Sequence, residues 1–158
     1  MAHFTYTRRK FITATTGLIA APAILRANRA LAQDGVFKIG FVAPTTGPLA
    51  GFGEAQDWII AGLKDTLAGM TNNGKPVQIE IITKDSQSNP NRAAEVASDL
   101  ILKDKITLMV VTSTPDTTNP VCDVCELNEM PCISTNCPWQ PWFFGRKGDP
   151  AKGFVWTH

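Results

Sequence analysis

The chain has 158 residues, of which 44% are hydrophobic and 18% are charged, and its formal net charge is +1. This composition is that of a globular protein and argues against intrinsic disorder. Several of the basic residues precede residue 30, so the remainder is close to neutral, which argues against a nucleic-acid-binding surface.

The first 32 residues resemble a twin-arginine export signal. The paired Arg8 and Arg9 are followed by an apolar stretch, 11–25, that is too short to span a membrane. Small residues at the first and third positions of Ala30-Leu31-Ala32 are typical of a signal-peptidase site. We therefore expect a signal peptide over 1–32, cleavage after Ala32 and a folded part over 33–158. No cysteine lies near the cleavage point, so no membrane anchor is expected. The alternative is an amphipathic N-terminal helix of a cytosolic protein.

Strands and helices alternate along the folded part. Strands are predicted, from β-forming and nearly continuous apolar residues, at Val36–Ala43, Val77–Thr83, Ile106–Val111, Pro131–Ser134 and, as the start of a fifth, Phe154–His158. Helices are predicted at Glu54 to about Met70, at Pro90 to about Lys103 and at Pro120 to about Asn128. The first has an apolar face formed by Ile59, Ile60, Leu63 and Leu67 and is expected to end at Thr71-Asn72-Asn73-Gly74. The second is expected to bury Ala93, Val96, Ala97, Leu100 and Ile101. Loops are expected from Thr112 to Asn119 and from Thr135 to about Lys152. This order predicts an α/β fold with a doubly wound parallel sheet.

Four stretches, in the right order and spacing, resemble the leucine/isoleucine/valine-binding family of type I periplasmic solute-binding proteins. They are Ile39–Gly53 with its Gly47-Pro48 turn, Asp85 with the helix start Asn89–Ala93, the third strand with its loop through Thr118, and Met130–Ser134. Members of this family have two lobes and are more than twice as long. The resemblance therefore implies that residues 33–158 form an incomplete first lobe.

The resemblance implies a function without chemistry. The protein would be the extracytoplasmic component of an ABC importer, capturing an amino acid or an aromatic or other organic acid between two lobes. It would deliver the solute to a permease in the inner membrane, and it would be a periplasmic monomer when full length. The alternatives are a ligand-sensing domain of a signalling or regulatory system and a redox enzyme using Cys122 and Cys125. No dinucleotide-binding or nucleophile motif occurs, so we predict no catalytic residue, cofactor or metal.

Candidate solute-binding residues follow the predicted strands, because ligands of open parallel sheets bind beyond the carboxyl ends of the strands. They are Phe52, Ser113, Thr114, Asp116, Thr117, Thr135, Asn136 and Trp139. The alternatives are a core anchor for Phe52 and a helix cap for Thr117 or Thr118. The segment from Thr135 to Arg146, which contains Trp139, Trp142, Phe143 and Phe144, stands where the family has a small Pro-Ala/Gly-Ala-Thr loop. Its aromatic residues either stack on an aromatic or bulky apolar ligand or pack against the other lobe or the sheet edge. Arg146 is expected to be solvated, and the alternative is that it pairs with a ligand carboxylate.

Four cysteines leave three alternatives open. Cys122 and Cys125 form a Cys-x-x-Cys pair, and Cys132 and Cys137 follow closely. Four thiols can bind zinc, but a second Cys-x-x-Cys pair is missing. Free thiols are favoured over at least one disulfide, and a disulfide is favoured over a metal site.

Overall fold

The computed structural model describes residues 36–158; the predicted export segment lies outside the described residues. The strands are Val36–Ala43 (β1), Thr71–Asn72 (β2), Lys75–Pro76 (β3), Gln78–Asp85 (β4), Leu108–Thr112 (β5) and Cys132–Thr135 (β6). The helices are Gln56–Ala68 (α1), Pro90–Leu102 (α2), Pro115–Leu127 (α3) and Trp139–Gly145 (α4). In this part of the chain, none of the helices combines the length and apolar character that crossing a bilayer requires.

The main sheet has the order β4-β1-β5-β6, and every neighbouring pair of its strands is parallel. Beyond β6, a parallel bridge joins Cys132 to Thr157, and the amide of Ser134 donates to the carbonyl of His158 at 2.7 Å. The end of the chain thus begins a fifth strand, as predicted. The predicted parallel α/β sheet is confirmed.

The hydrophobic core lies between the sheet and helices α2 and α3. Helix α2 begins where the side chain of Asn89 accepts hydrogen bonds from the amides of Asn91 (2.9 Å) and Arg92 (3.0 Å), with Pro90 at the first helical position. Its apolar side packs on inward-facing residues of β1 and β5, and the buried set includes Ala93, Val96, Ala97, Leu100, Val42, Met109 and Val111. The predicted buried face of this helix is confirmed, with its Ile101 partly buried.

Close approach of the core side chains to β1 depends on a glycine. A Cβ at Gly40 would lie 2.7 Å from Cδ1 of Ile106 and 3.1 Å from Cδ1 of Leu100. A larger residue at this position would therefore displace both side chains from the core. Full burial of an aliphatic side chain such as Leu100 contributes about 1.5–3 kcal/mol to folding, so this packing is a main source of stability.

Helix α1 differs from its prediction. It packs beside β4, but Ile59 and Leu63 on its predicted apolar face remain 43% and 42% exposed. The helix is also shorter than predicted, since it spans Gln56–Ala68, and Ala50–Phe52 before it form a 3-10 turn. After it, Asn73 and Gly74 adopt positive φ angles of 51° and 76° and form the turn of the β2–β3 hairpin. The residues predicted to end the helix thus form a hairpin turn.

Two predictions about the last third of the chain are wrong. The helix predicted to begin at Pro120 begins at Pro115, so that Pro120 lies inside α3. Pro115 also suits the first helical position, and the earlier start buries Thr117, Thr118 and Val121. The predicted loop from Thr135 onward contains α4, whose Trp142 packs against the core and makes the short helix favourable.

Candidate functional site

The carboxyl ends of the four parallel strands meet at one edge of the sheet, where ligands of open α/β sheets bind. We call this edge the rim. Its first half-rim consists of the segments after β1 and β4, residues 44–55 and 86–89. Its second half-rim consists of the segments after β5 and β6, residues 113–118 and 135–139. All eight candidate residues lie on these segments, so the fold brings them to the same edge.

A carboxylate organises the first half-rim. Oδ1 of Asp85 accepts hydrogen bonds from the amides of Thr45 (2.9 Å), Thr46 (3.3 Å) and Gln87 (2.8 Å), and its Oδ2 accepts from the hydroxyl of Thr46 at 2.6 Å. Burial by itself raises the pKa of Asp85, but these four hydrogen bonds outweigh burial and hold the pKa below its ordinary value. Asp85 therefore stays ionised and positions the segment after β1.

Ser88 completes this network from the segment after β4. Its hydroxyl donates to the carbonyl of Thr46 at 2.7 Å and accepts from the amide of Leu49 at 2.9 Å. A Cβ at Gly47, whose φ is +87°, would lie 2.7 Å from the Ser88 hydroxyl oxygen. Glycine is therefore favoured at position 47 for two reasons: it adopts the left-handed conformation easily, and it leaves room for the Ser88 hydroxyl. Asp85 and Ser88 were not predicted as site residues; the signal was the Asp at a strand end.

Phe52 lies in the 3-10 turn of the first half-rim and is 46% exposed. The neighbouring Gly53 allows this turn to fold back on β1, because a Cβ there would lie 2.4 Å from the carbonyl oxygen of Pro44. The exposed ring contradicts the alternative that Phe52 is a core anchor. It leaves an aromatic surface available at the rim.

The second half-rim contains buried hydroxyl groups. The side-chain oxygens of Ser113, Thr114 and Thr117 have no hydrogen-bond partner among the described residues, and Ser113 and Thr117 are 0% and 1% exposed. Ser113 has a φ of 142°, which is unusual for a residue other than glycine. The helix cap predicted at Thr117 or Thr118 is wrong, because the N-cap of α3 is Thr114. In this arrangement Ser113 and Thr117 face the interior and can only position the segment.

Three other candidates of the second half-rim are exposed. Asp116 lies in the first turn of α3, Thr135 ends the strand β6, and Asn136 follows it directly. The amide of Asn136 donates to the hydroxyl of Thr112 at 3.2 Å, which joins the ends of β5 and β6. These side chains therefore present a carboxylate, a hydroxyl and an amide on adjacent strand ends.

The aromatic segment divides into two parts. Trp139 and Phe144 pair with ring centroids 6.2 Å apart and remain 62% and 56% exposed. Trp142 and Phe143 instead pack edge-on against Phe154, with centroids 5.3 Å and 5.4 Å away. Trp142 and Phe143 thus pack within the fold, against the C-terminal segment, whereas Trp139 is exposed to solvent at the rim.

The prediction that Arg146 is solvated is wrong. Its side chain is only 1% exposed, and its Nε lies 2.6 Å from Oδ1 of Asp123. The guanidinium carbon lies 3.9 Å from the ring centre of Phe154 and 4.9 Å from that of Trp142, and Nη1 donates to the hydroxyl of Thr157 at 2.9 Å. The ion pair, the hydrogen bond and the rings replace most of the water around the guanidinium, while its Nη2 has no hydrogen-bond partner among the described residues.

Glu126 holds the same C-terminal segment to α3. Its carboxylate accepts from the amides of Val155 (2.8 Å) and Trp156 (3.1 Å) and from the Thr157 hydroxyl at 3.1 Å. Burial by itself raises the pKa of Glu126. These hydrogen bonds and the charge of Arg146 outweigh burial, so the pKa lies below its ordinary value. Arg146 and Glu126 therefore have a structural role: they fix the C-terminal segment against α3, the helix that begins at the second half-rim.

All four cysteines are free thiols in the structure, and Cys122, Cys125 and Cys132 are buried. Among residues 36–158, no group of three or more His, Cys, Asp or Glu side chains is arranged to hold a metal ion. The zinc alternative thus has no support in this part of the chain.

Known proteins provide an independent comparison. The family model described as periplasmic binding protein matches residues 36–157. The chain is 26% identical to the branched-chain amino acid transporter substrate binding protein LivJ from Streptococcus pneumoniae, solved with isoleucine; the TM-score is 0.59, and the match covers 70% of this chain and 32% of that one. No curated protein sequence matches the chain.

Two further solved structures are similar. An ABC transporter substrate-binding protein from Sphaerobacter thermophilus is 28% identical, with a TM-score of 0.61 and a match covering 77% of this chain and 31% of that one. A solute binding protein of an ABC transporter from Rhodopseudomonas palustris, solved with 3,4-dihydroxybenzoic acid, is 25% identical with a TM-score of 0.59; 70% of this chain and 30% of that one are covered. The chain therefore spans about a third of the length of these relatives.

Proposed function

Because the chain belongs to the periplasmic binding protein family, we propose that it captures a small solute at the rim and serves an ABC importer without performing chemistry. The observation that carries this proposal is the family match over residues 36–157, which includes every rim segment. Relatives of the same fold are substrate-binding proteins of ABC transporters. Binding proteins of this kind work by closing two lobes around a ligand, and the described residues supply one wall.

The side chains and the helix end at the rim suit a solute that carries a carboxylate and an apolar part. Helix α3 points its amino end at the second half-rim, and a helix amino end favours negative charge. Asp116 in the first turn provides a partner for an ammonium group, whereas Phe52 and Trp139 provide exposed aromatic surface. An apolar amino acid or an aromatic acid has these features. The solutes of two relatives, isoleucine and 3,4-dihydroxybenzoic acid, belong to these two classes.

The same proposal includes export. Residues 1–32 act as a twin-arginine signal that is cleaved after Ala32, and the released protein works in the periplasm as a monomer with a permease of the inner membrane as its partner. The order of Arg8, Arg9, the apolar stretch and Ala30-Leu31-Ala32 supports this part. Replacing Arg8 and Arg9 by lysine in a reporter fusion of residues 1–35 abolishes export if the signal is of the twin-arginine type. Continued export of that variant contradicts it.

Calorimetric titration of the chain with isoleucine and with 3,4-dihydroxybenzoate tests the capture. We expect saturable binding of at least one of the two solutes. The variant Trp139→Ala should weaken binding of the aromatic acid about 2- to 10-fold, which corresponds to the loss of one aromatic contact. Asp116→Asn should selectively weaken binding of the amino acid, because only that solute carries an ammonium group.

A matched control separates the rim from general surface effects. Leu127, the last residue of α3, is 84% exposed and lies at the end of that helix opposite to the rim, so Leu127→Ala should leave both affinities unchanged. Absence of saturable binding of either solute contradicts the proposal. An equal loss of affinity in Leu127→Ala and Trp139→Ala contradicts the assignment of the rim as the binding wall.

A further inference from the structure

Two buried thiols face each other between α3 and β6. The sulfurs of Cys122 and Cys132 lie 3.8 Å apart, and the two residues are 0% and 1% exposed. A disulfide requires a sulfur–sulfur distance of about 2.05 Å, so an approach of roughly 2 Å would join them. Cys125 lies one helical turn further along α3 and also reaches the Cys132 thiol, whereas Cys137 lies on the second half-rim and is half-buried.

We propose that Cys122 and Cys132 form a disulfide that joins α3 to β6 when the chain folds in the presence of a small-molecule or protein disulfide. The thiolate of one cysteine attacks the oxidant's disulfide and releases one oxidant thiol. The thiolate of the second cysteine then displaces the other oxidant sulfur and closes the protein disulfide. Two protein thiols are oxidised, the oxidant is reduced to two thiols, and these two thiols take up the two protons.

Burial determines when this exchange takes place. The hydrogen bond to Cys132 and burial together raise the pKa of the Cys122 thiol far above its usual range, so the folded protein has almost no reactive thiolate at this position. The indole of Trp142 also covers this sulfur, donating to it at 3.3 Å. The disulfide therefore forms during folding, before α3 and α4 close over the pair. The exported location proposed above would supply the oxidising compartment, but the pairing rests on geometry alone.

The bond would connect the two elements that carry the second half-rim. Helix α3 begins just after Ser113 and Thr114, and β6 ends at Thr135. A covalent link between these elements restricts their relative motion and closes a short loop, which lowers the entropy of the unfolded chain. The oxidised protein should therefore hold the second half-rim more firmly than the reduced protein.

Mass spectrometry identifies the pair directly. The whole chain is unfolded and reduced, then refolded with glutathione disulfide, and the remaining thiols are alkylated. Cleavage before aspartates and after glutamates separates the fragments 116–122, 123–126 and 130–148, so Cys122, Cys125 and Cys132 lie on different fragments. We expect fragment 116–122 linked to fragment 130–148, with alkylated Cys125 and Cys137. Complete alkylation of all four cysteines, or a link through Cys125 or Cys137, overturns the proposal.

Variants and kinetics sharpen this test. Cys125→Ser and Cys137→Ser should retain the link, whereas Cys122→Ala should lose it. Adding a reductant should lower the Tm of the oxidised protein by about 10 °C and leave that of Cys122→Ala unchanged. The folded, reduced protein should form the link at least tenfold more slowly than the refolding chain. Equal rates contradict the requirement for folding, and an unchanged Tm contradicts the stabilising role of the bond.

Discussion

The first and second half-rims use similar polar residues, but they satisfy their hydrogen-bonding groups differently. In the first half-rim, Asp85 and Ser88 make six hydrogen bonds, and five of these tie the segment after β1 to the end of β4 and the residues that follow it. In the second half-rim, hydroxyls of Ser113, Thr114 and Thr117 have no partner among the described residues. Ser113 and Thr117 are enclosed, so the groups that the second half-rim offers to solvent or solute are the exposed side chains of Asp116, Thr135 and Asn136. In the first half-rim, the saturated network instead positions the backbone. Each prediction below tests this division.

The largest effect is expected for Arg146→Ala, which removes the support of the second half-rim. The variant loses the ion pair with Asp123, the hydrogen bond to Thr157 and the stacking between two rings. We expect the free energy of unfolding, measured by urea denaturation, to fall by about 2–3 kcal/mol. The control is Lys152→Ala, whose ion pair with Asp149 is exposed and should contribute less than about 0.5 kcal/mol. Equal effects of the two substitutions contradict the structural role of Arg146.

Asp85→Asn tests the first half-rim. The substitution keeps the size of the side chain, but its amide nitrogen cannot accept the hydrogen bond that Thr46 donates to the carboxylate at 2.6 Å. We expect a loss of about 1–2 kcal/mol in the free energy of unfolding and faster amide exchange at Thr45 and Thr46. Asp65→Asn, on the exposed surface of α1, should change stability by less than about 0.5 kcal/mol. Unchanged exchange at Thr45 and Thr46 would show that Asp85 does not position this segment.

Asn89→Ala examines the helix start next to the first half-rim. The side chain of Asn89 accepts from two amides at the beginning of α2, and alanine leaves both without that partner. The expected loss is about 1 kcal/mol, and Asn89→Asp should restore most of it because aspartate also caps helices well. Thermal unfolding measures both variants; an aspartate variant as unstable as the alanine variant argues against capping as the cause.

The smallest expected effect is the loss of folding stability in acid that comes from the two carboxylates that support the half-rims. Asp85 and Glu126 have folded-state pKa values below their ordinary values of 3.8 and 4.5. Their stabilisation is therefore fully present above the unfolded pKa values and is lost as the pH falls through the folded ones. The free energy of unfolding should be flat above about pH 5.5 and decline below pH 4.5. Asp85→Asn should flatten part of this decline, and an unaltered profile contradicts the assignment.

Much of the fold follows from local patterns in the sequence. The apolar spacing of Ala93, Val96, Ala97 and Leu100 and the Asn89-Pro90 start define α2 because they act within one helix. The start of α3 is ambiguous, since both Pro115 and Pro120 suit a first helical position. Only the burial of Thr117 and Thr118 selects the earlier one, and burial depends on tertiary packing.

The candidate site is predicted less completely than the fold. The position of Phe52, Asp116 and Asn136 at one edge follows from parallel strand order. The burial of Ser113 and Thr117 does not, because it depends on how α3 docks on the sheet. The structural role of Arg146 is also not visible in the sequence, since its partners Asp123, Phe154 and Thr157 lie 8 to 23 positions away along the chain.

Backbone amide chemical shifts, recorded while the chain is titrated with the solute that binds, test the central claim that the rim is the binding wall. The account predicts that the perturbed amides cluster in residues 44–55, 113–118 and 135–139, with the second half-rim changing most. The β2–β3 hairpin, at Thr71–Asn72 and Lys75–Pro76, should not respond. Perturbations centred on that hairpin or on the exposed surface of α1, with a silent rim, would contradict it.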